Sequence, residues 1–380
     1  MHIFYDWLSA YQEYDFDLPK VTDIVIETLC SKTGELLSSK QPGFKHEGSW
    51  STVIIIRVHG RRVFIEGNPS RIDRADNLFG YTTIEQCVIV YNRILAQYGL
   101  PPLTKCTRID FRQGPDGQHV GTTADGMVIT RIDVTSNHAV GKGNVPAYLK
   151  GISSQAIGRN YGFLYPNGRT ATWTTKALGQ GARLQFRKAY DKAFEMLSNS
   201  LPKVKRIFGE TSEEYKYIQK VQAYCEEQGI VRFEQGFKAE FLKRHHLAYW
   251  GLFDEGELTR LHKDFLKLDQ KLKVNAMDLL SIAEQLVASG VRPNMRAANT
   301  TAMYAIQWMN AQTPLDFSKR QVNEHAAHLN RIGINIRMPF DHTKFSPVIV
   351  KEIREVTRVS VIEIPNWYKR PAGHLQLVAA

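Results

Sequence analysis

The chain has 380 residues, with 49 Lys and Arg against 38 Asp and Glu, a formal charge of +11 and a sequence pI near 9.3. That length supplies two or three domains with ample core material, and the charge favours a polyanionic partner such as nucleic acid over an acidic-surface role. Cys30, Cys87, Cys106 and Cys225 have neither paired nor finger spacing, which argues against structural zinc and for a reduced compartment. Met1 to Trp7 carries no basic n-region and no stretch approaches the roughly 18 apolar residues of a membrane span, so the expectation is a soluble, cytoplasmic protein with no membrane partner.

To about residue 112 the pattern is strands and turns. Ser51 to Val58 and Val63 to Ile65 read as a hairpin around Gly60-Arg61-Arg62, and Gly67 to Ser70 ends it. Thr83 to Tyr98 has helical apolar spacing and is stopped by Gly99 and Pro101. Between Leu103 and Thr135 a second hairpin is expected around Gly114-Pro115-Asp116-Gly117. In its later strand Val128, Thr130, Ile132 and Val134 share one face, while Ile129, Arg131, Asp133 and Thr135 share the other. The same alternation puts Val231 and Phe233 inward and Arg232 and Glu234 outward. Two such strands side by side would bring together two carboxylates and two guanidinium groups.

Tyr161 to Lys192 reads as strands with breaks at Pro166-Asn167-Gly168 and Gly179-Gln180-Gly181. Leu184, Phe186, Lys188 and Tyr190 would share a face, and Tyr190 falls at a strand-to-helix junction. Lys203 to Thr211 is expected to be a loop before a helix through Tyr217, Val221 and Tyr224. Beyond Leu242 the spacing turns helical, notably in Glu255 to Leu272 and Asn275 to Ser289. The expected architecture is α+β, an antiparallel sheet with covering helices over residues 1–245, followed by a smaller, mainly helical domain over residues 246–380.

Six pieces occur in an order that resembles the replication initiators of filamentous phages, the gene II protein family and the cholera-toxin phage replication protein. They are Glu66 to Arg71, Asp76 to Gly80, Thr130 to Asp133, Ala189 to Lys192, Gly229 to Glu234 and Pro365 to Tyr368. The resemblance implies an HUH-type rolling-circle endonuclease, with a ferredoxin-like or RRM-like sheet, that nicks a double-stranded origin and becomes joined to the DNA 5′ end. No His-hydrophobic-His triplet is present, and Asp133-Val134-Thr135 stands in its place. Origin DNA is the implied partner, with a host helicase and polymerase as further candidates.

Phosphodiester cleavage needs an in-line nucleophile and a cation to stabilise charge on the phosphoryl oxygens. Tyr190 is the candidate nucleophile, and Lys192 and Lys188 are candidate sources of the positive charge that a phenol of pKa about 10 requires. Asp133 and Glu234 offer hard oxygens for Mg²⁺ or Mn²⁺, and His46 or Glu47 is the guess for a third ligand. The plainer reading pairs each acid with Arg131 or Arg232 as a structural ion pair. Thr107-Arg108-Ile109-Asp110 repeats the words around Asp133, and Asp110 is expected on the neighbouring strand. Arg57, Arg71, Arg131, Arg187, Lys188 and Arg232, with Arg61, Arg62 and Arg74, are candidate phosphate contacts. Trp50 and Trp173 are candidates for base stacking, and Ser318 to Leu329 for a groove-entering helix. A non-catalytic origin-binding protein and a mobilisation relaxase are the alternatives.

Overall fold

Among the described residues, nine strands that alternate apolar and polar residues pair antiparallel into one sheet. They are β1 (Ile3–Glu13), β4 (Phe44–Glu47), β5 (Val53–His59), β6 (Arg62–Gly67), β9 (Val128–Ala139), β10 (Tyr161–Leu164), β11 (Thr170–Thr174), β12 (Gln185–Asp191) and β13 (Ile230–Lys238), in the order β10-β11-β12-β13-β9-β1-β6-β5-β4. Two small hairpins, β2 (Ile26–Leu29) with β3 (Leu36–Lys40) and β7 (Ile109–Gln113) with β8 (His119–Ala124), stand apart from it. The computed structural model describes residues 2–40, 42–47, 53–175, 183–268, 279–310, 314–339 and 362–371.

One face of the sheet is covered. Helix α1 (Ile84–Ala96) starts with a capping box between Thr83 and Gln86 and packs Ile84, Val88, Tyr91 and Leu95 against Leu8, Ile54, Ile65 and Ile132. Helix α2 (Val145–Ser153) buries Tyr148, Leu149 and Ile152 against Ala171, Trp173, Val231 and Phe233. The short α6 (Ala239–Arg244) and α7 (Gly256–Leu266) complete this cover with Phe241, Leu258 and Phe265. The expected boundary at residue 245 therefore runs through the covering layer, because Leu247, Trp250, Leu258 and Phe265 pack beneath the sheet.

At the end of β12 the chain turns straight into α3 (Lys192–Glu195), a π turn at Met196–Ser200 and α4 (Leu201–Phe208), followed by α5 (Glu213–Gln228). Residues 203–208, expected as loop, are helical. Pro202 sits in the first turn, where its missing N–H costs nothing, and Leu201 and Val204 are buried while Lys203, Lys205 and Arg206 face out. The helices Leu279–Ala288, Met295–Asn310 and Arg320–Arg331 form a separate core of Ile282, Leu286, Ala298, Ala302 and Leu329. Val322, His325, Ala326 and Leu329 face that core, so the candidate groove helix packs by its apolar face. Among the described residues no helix is long and apolar enough to cross a membrane.

Two departures from simple alternation shape β9. The β1–β9 register shifts between Ser9 and Ala10, so Ile129 turns into the core beside Val128 rather than outward with Arg131. Asp110 lies on β7, opposite Thr123 in a separate hairpin, not on a strand beside Asp133.

Beneath the covered face the Ser136 hydroxyl lies 3.0 Å from His138 Nε2 and 2.9 Å from His262 Nε2. Burial pushes His138 down to about 4 and His262 down to about 3. Both rings are neutral when folded but titrate near 6.5 when unfolded, so the unfolded state binds more protons below that pH. Stability should be full above pH 6.5, fall as pH drops toward about 4, and level off below about 3. Each ring should account for a loss on the order of 3–5 kcal/mol. Urea midpoints between pH 7 and pH 4 should show this slope, reduced in His262→Gln.

Candidate active site

The open face of the sheet carries the candidate chemistry, and the antiparallel register decides which side chains meet. Lys188 pairs with Glu234 and Tyr190 with Arg232 across β12 and β13, while Glu234 pairs with Thr135 and Gly236 with Asp133 across β13 and β9. Lys188, Tyr190, Arg232, Glu234, Asp133 and Thr135 therefore share this face.

Tyr190 is half-buried, and its phenol donates to Glu234 Oε1 at 2.5 Å. Lys188 Nζ is 2.5 Å from Glu234 Oε2 and 5.1 Å from the centre of the Tyr190 ring. Burial and the Glu234 charge raise the Tyr190 phenol well above its ordinary value, with Arg232 acting against them. Burial pushes Glu234 up, but Lys188 and Arg232 outweigh it and hold the carboxyl below its ordinary range. The resting state is thus a protonated phenol on an ionised carboxylate.

Arg131 grips Asp133 through two bonds, Nε to Oδ1 at 2.9 Å and Nη2 to Oδ2 at 2.6 Å, and stacks 5.1 Å from the Trp7 ring. Asp133 is raised by burial, which outweighs its arginine partner. A Cβ on Gly236 would lie 2.8 Å from Asp133 Oδ1, so this glycine leaves a notch beside the carboxylate. The neighbouring Thr135 hydroxyl is buried with no hydrogen-bond partner among the described residues.

The Lys192 ammonium is taken up by partners other than the Tyr190 phenol. As the first residue of α3, Lys192 is buried, with Nζ 2.9 Å from Asn77 Oδ1 and 2.6 Å from Glu195 Oε2. Burial and Arg232 lower its ammonium, and Lys192 in turn brings Glu195 down to about 2 against its own burial. Arg232 is completely buried and so cannot reach a phosphate at the surface. Its guanidinium donates to Asn137 Oδ1 at 2.9 Å, Asn77 O at 2.6 Å and Leu78 O at 2.9 Å.

The other expected residues scatter. His46 is on β4, four strands from β9 or roughly 19 Å at sheet spacing, and its Nδ1 meets the Tyr98 hydroxyl at 2.8 Å. It cannot share an ion with Asp133; the third-ligand expectation failed because sheet order is not written in strand pattern. Arg187 is on the covered face, 5.9 Å over the Phe265 ring, where burial lowers it to about 10. Trp173 is fully buried, with Nε1 bonded to Gln155 O, and is closed to bases. Trp50 lies outside the described residues. Arg57 is on the open face, paired with Glu66 at 2.7 Å, and Arg71 is in the turn Pro69–Arg71 that follows β6.

Sequence reasoning missed Asp6 and Asn77. The β1–β9 register also shifts between Tyr5 and Trp7, and the extra residue is Asp6. The bulge puts Asp6 next to Trp7. Asp6 Oδ1 accepts from Asn68 Nδ2 at 2.8 Å and Asn77 Nδ2 at 2.9 Å, and its charge acts on Tyr190, Lys188, Lys192 and Arg232. The available signal was a lone acid inside the apolar run Ile3 to Leu8.

Tyr190, Glu234 and Lys188 thus meet on the open face, with Asp133 and Arg131 on the next strand. The family model for the N-terminal part of the phage gene II "Replication-associated protein" matches residues 4–255, and the model for its C-terminal part matches residues 286–374. The chain is 46% identical over 325 residues to the "Replication-associated protein" of the same gene II type from Escherichia phage If1, an alignment covering 86% of this chain and 99% of that relative. No solved structure matches. The chain belongs to the gene II replication-associated protein family.

Removing a buried, bonded charge costs about 3–5 kcal/mol, whereas an exposed ion pair contributes about 0–1. Arg232→Met should therefore lower urea stability far more than Lys142→Ala, whose pair with Glu227 is exposed on both sides. Equal losses would contradict the buried anchoring of Arg232.

Proposed function

We propose that this protein initiates rolling-circle replication of a filamentous phage or a related element by nicking its double-stranded origin with Tyr190, on an HUH-type sheet, in the bacterial cytoplasm. The reading is carried by one observation, the Tyr190 phenol held 2.5 Å from the ionised Glu234 carboxylate on the open face. It is supported by the family membership and the basic charge.

Attack by Tyr190 Oη on the scissile phosphorus forms the phosphotyrosine at the DNA 5′ end as the phenol proton passes to Glu234 Oε1. The bond to the 3′ oxygen breaks, and that oxygen takes a proton from water to become a primer hydroxyl. A later 3′ hydroxyl attacking the phosphotyrosine returns the proton path and rejoins the strand, so the bond energy is conserved without ATP. Lys188 has two effects. Its pairing lowers the proton affinity of Glu234, and when an incoming phosphate draws it away, Glu234 becomes the stronger base and the ammonium stabilises the phosphoryl oxygens.

Among the described residues no group of three or more His, Cys, Asp or Glu could hold a metal ion. A Mg²⁺ or Mn²⁺ ion needs less than that, since Mg²⁺ commonly takes one or two carboxylates with substrate phosphate and waters. The fit is provided by Asp133 and Glu234, the notch at Gly236 and the unpartnered Thr135 hydroxyl. Bound there, the ion would neutralise charge on the phosphate oxygens.

Trp7, Tyr11 and Phe64 lie on or beside the same face, with Arg131 over Trp7 and Arg62 4.8 Å over Tyr11, a surface suited to stacked bases and phosphates. The helicase and polymerase of the host remain candidate partners by family resemblance alone.

Cleavage of a supercoiled origin plasmid tests the reading. Tyr190→Phe should bind DNA and leave no nick, and Glu234→Gln should slow nicking by about 10²–10⁴-fold with binding retained. A nick made by Tyr190→Phe would move the nucleophile to another residue, and no nick by the unaltered protein with Mg²⁺ or Mn²⁺ would return the protein to the non-catalytic origin-binding class. Trp7→Ala should weaken single-strand binding by about 1–3 kcal/mol in a fluorescence titration.

A further inference from the structure

Asn77 is the junction of the site. Its side chain donates to Asp6 and accepts from Lys192, and its backbone oxygen accepts from Arg232. It has no helix or strand of its own, because it lies in the loop between the turn Pro69–Arg71 and α1. What fixes this loop comes from almost 300 residues further along the chain.

Residues 362–371 form a strap across the loop and α5. The Tyr368 hydroxyl donates to Asp76 Oδ1 at 2.6 Å and accepts from Phe79 N at 3.0 Å and Arg74 Nη2 at 2.5 Å. It thereby holds the residue before Asn77 and one just after it. Asp76 Oδ1 also accepts from Leu78 N at 2.8 Å, and Asp76 Oδ2 accepts from the Tyr217 hydroxyl at 3.1 Å. Arg74 ties the loop to itself and to the strap, donating to Ser70 O, Phe79 O and Lys369 O. The strap is anchored on α5 by Trp367, set edge-on to Tyr217 and Tyr224 with Lys220 4.5 Å over its ring, and by the Tyr224 hydroxyl on Glu363 O. Tyr368 is 5% exposed and packs with Leu78, Phe79 and Met196.

We infer that Tyr368 is a positioning residue of the nicking site: the strap, which belongs to the C-terminal family region, sets the loop that presents Asn77 to Lys192, Arg232 and Asp6. The inference rests on the nicking reading for its effect on rate, but not for its effect on the loop. Tyr368→Phe keeps the ring and removes the hydroxyl, while Tyr217→Phe removes a second support of Asp76. Tyr14→Phe, which loses hydroxyl bonds to Pro101 O and Pro102 O away from strap and loop, is the control.

In full-length protein, amide hydrogen exchange should accelerate at residues 76–79 in Tyr368→Phe and Tyr217→Phe and stay unchanged in Tyr14→Phe. Nicking of an origin oligonucleotide should fall about tenfold or more in the first two, through kcat, with DNA affinity within about twofold of the unaltered protein. If Tyr368→Phe does not fold, Tyr217→Phe decides. Unchanged exchange at residues 76–79, or accelerated exchange with unchanged nicking, overturns the inference. If the unaltered protein does not nick, the proposed function fails by itself, and the exchange data alone decide whether the strap sets the loop.

Discussion

Arg232 is the constraint on which the rest of the site depends. A guanidinium with no exposed surface must satisfy its donors inside the protein, since the desolvation of a charge is costly unless every strong donor finds an acceptor. Nε does so on Asn137 of β9 and Nη2 on two carbonyls of the 77–78 loop, while Nη1 has no hydrogen-bond partner among the described residues. The loop is therefore drawn onto the sheet beside Tyr190, and Asn77 arrives where its amide can join Asp6 to Lys192. The family pieces around residues 68–80, 190–192 and 229–234 are far apart in sequence because each supplies one side of this junction.

The geometry separates two roles that a basic, acid-studded strand pattern runs together. The inner cations, Arg232 and Lys192, are consumed in holding the structure and in shaping the field on the phenol. The outer ones, Lys188 and Arg131, are 36% and 46% exposed at the side chain, and on the proposed reading they would trade a carboxylate for a phosphate. Glu234 is the hinge between the two groups, an acceptor for Tyr190 and a partner for Lys188 at the same time. On the proposed reading, a single carboxylate would hold the Tyr190 phenol in place before DNA arrives and take its proton once DNA competes for the lysine.

Much of this was legible in the sequence. Two-residue periodicity in Arg232-Phe233-Glu234 and Phe186 to Tyr190 gave the right face, because β12 and β13 run without bulges. It failed at Ile129 and was silent on Asp6, because both sit at register shifts, which add a residue to one strand without changing its composition. His46 was misplaced for a different reason. Alternation reports which face a residue takes, but strand order depends on long connections, and β4 ends at the edge furthest from β10. The role of Tyr368 was hidden because a C-terminal strap has no periodicity, and its meaning lies in partners almost 300 residues away.

Mass spectrometry of the peptides left on DNA is the most direct test of the central claim. After incubation with Mg²⁺ or Mn²⁺ and a single-stranded oligonucleotide from its own origin, the protein should carry a nucleotide on the peptide containing Tyr190. The adduct should disappear when a 3′ hydroxyl strand is supplied for rejoining. A nucleotide on Tyr217 or Tyr224 instead, or cleavage without any protein adduct, would contradict the account.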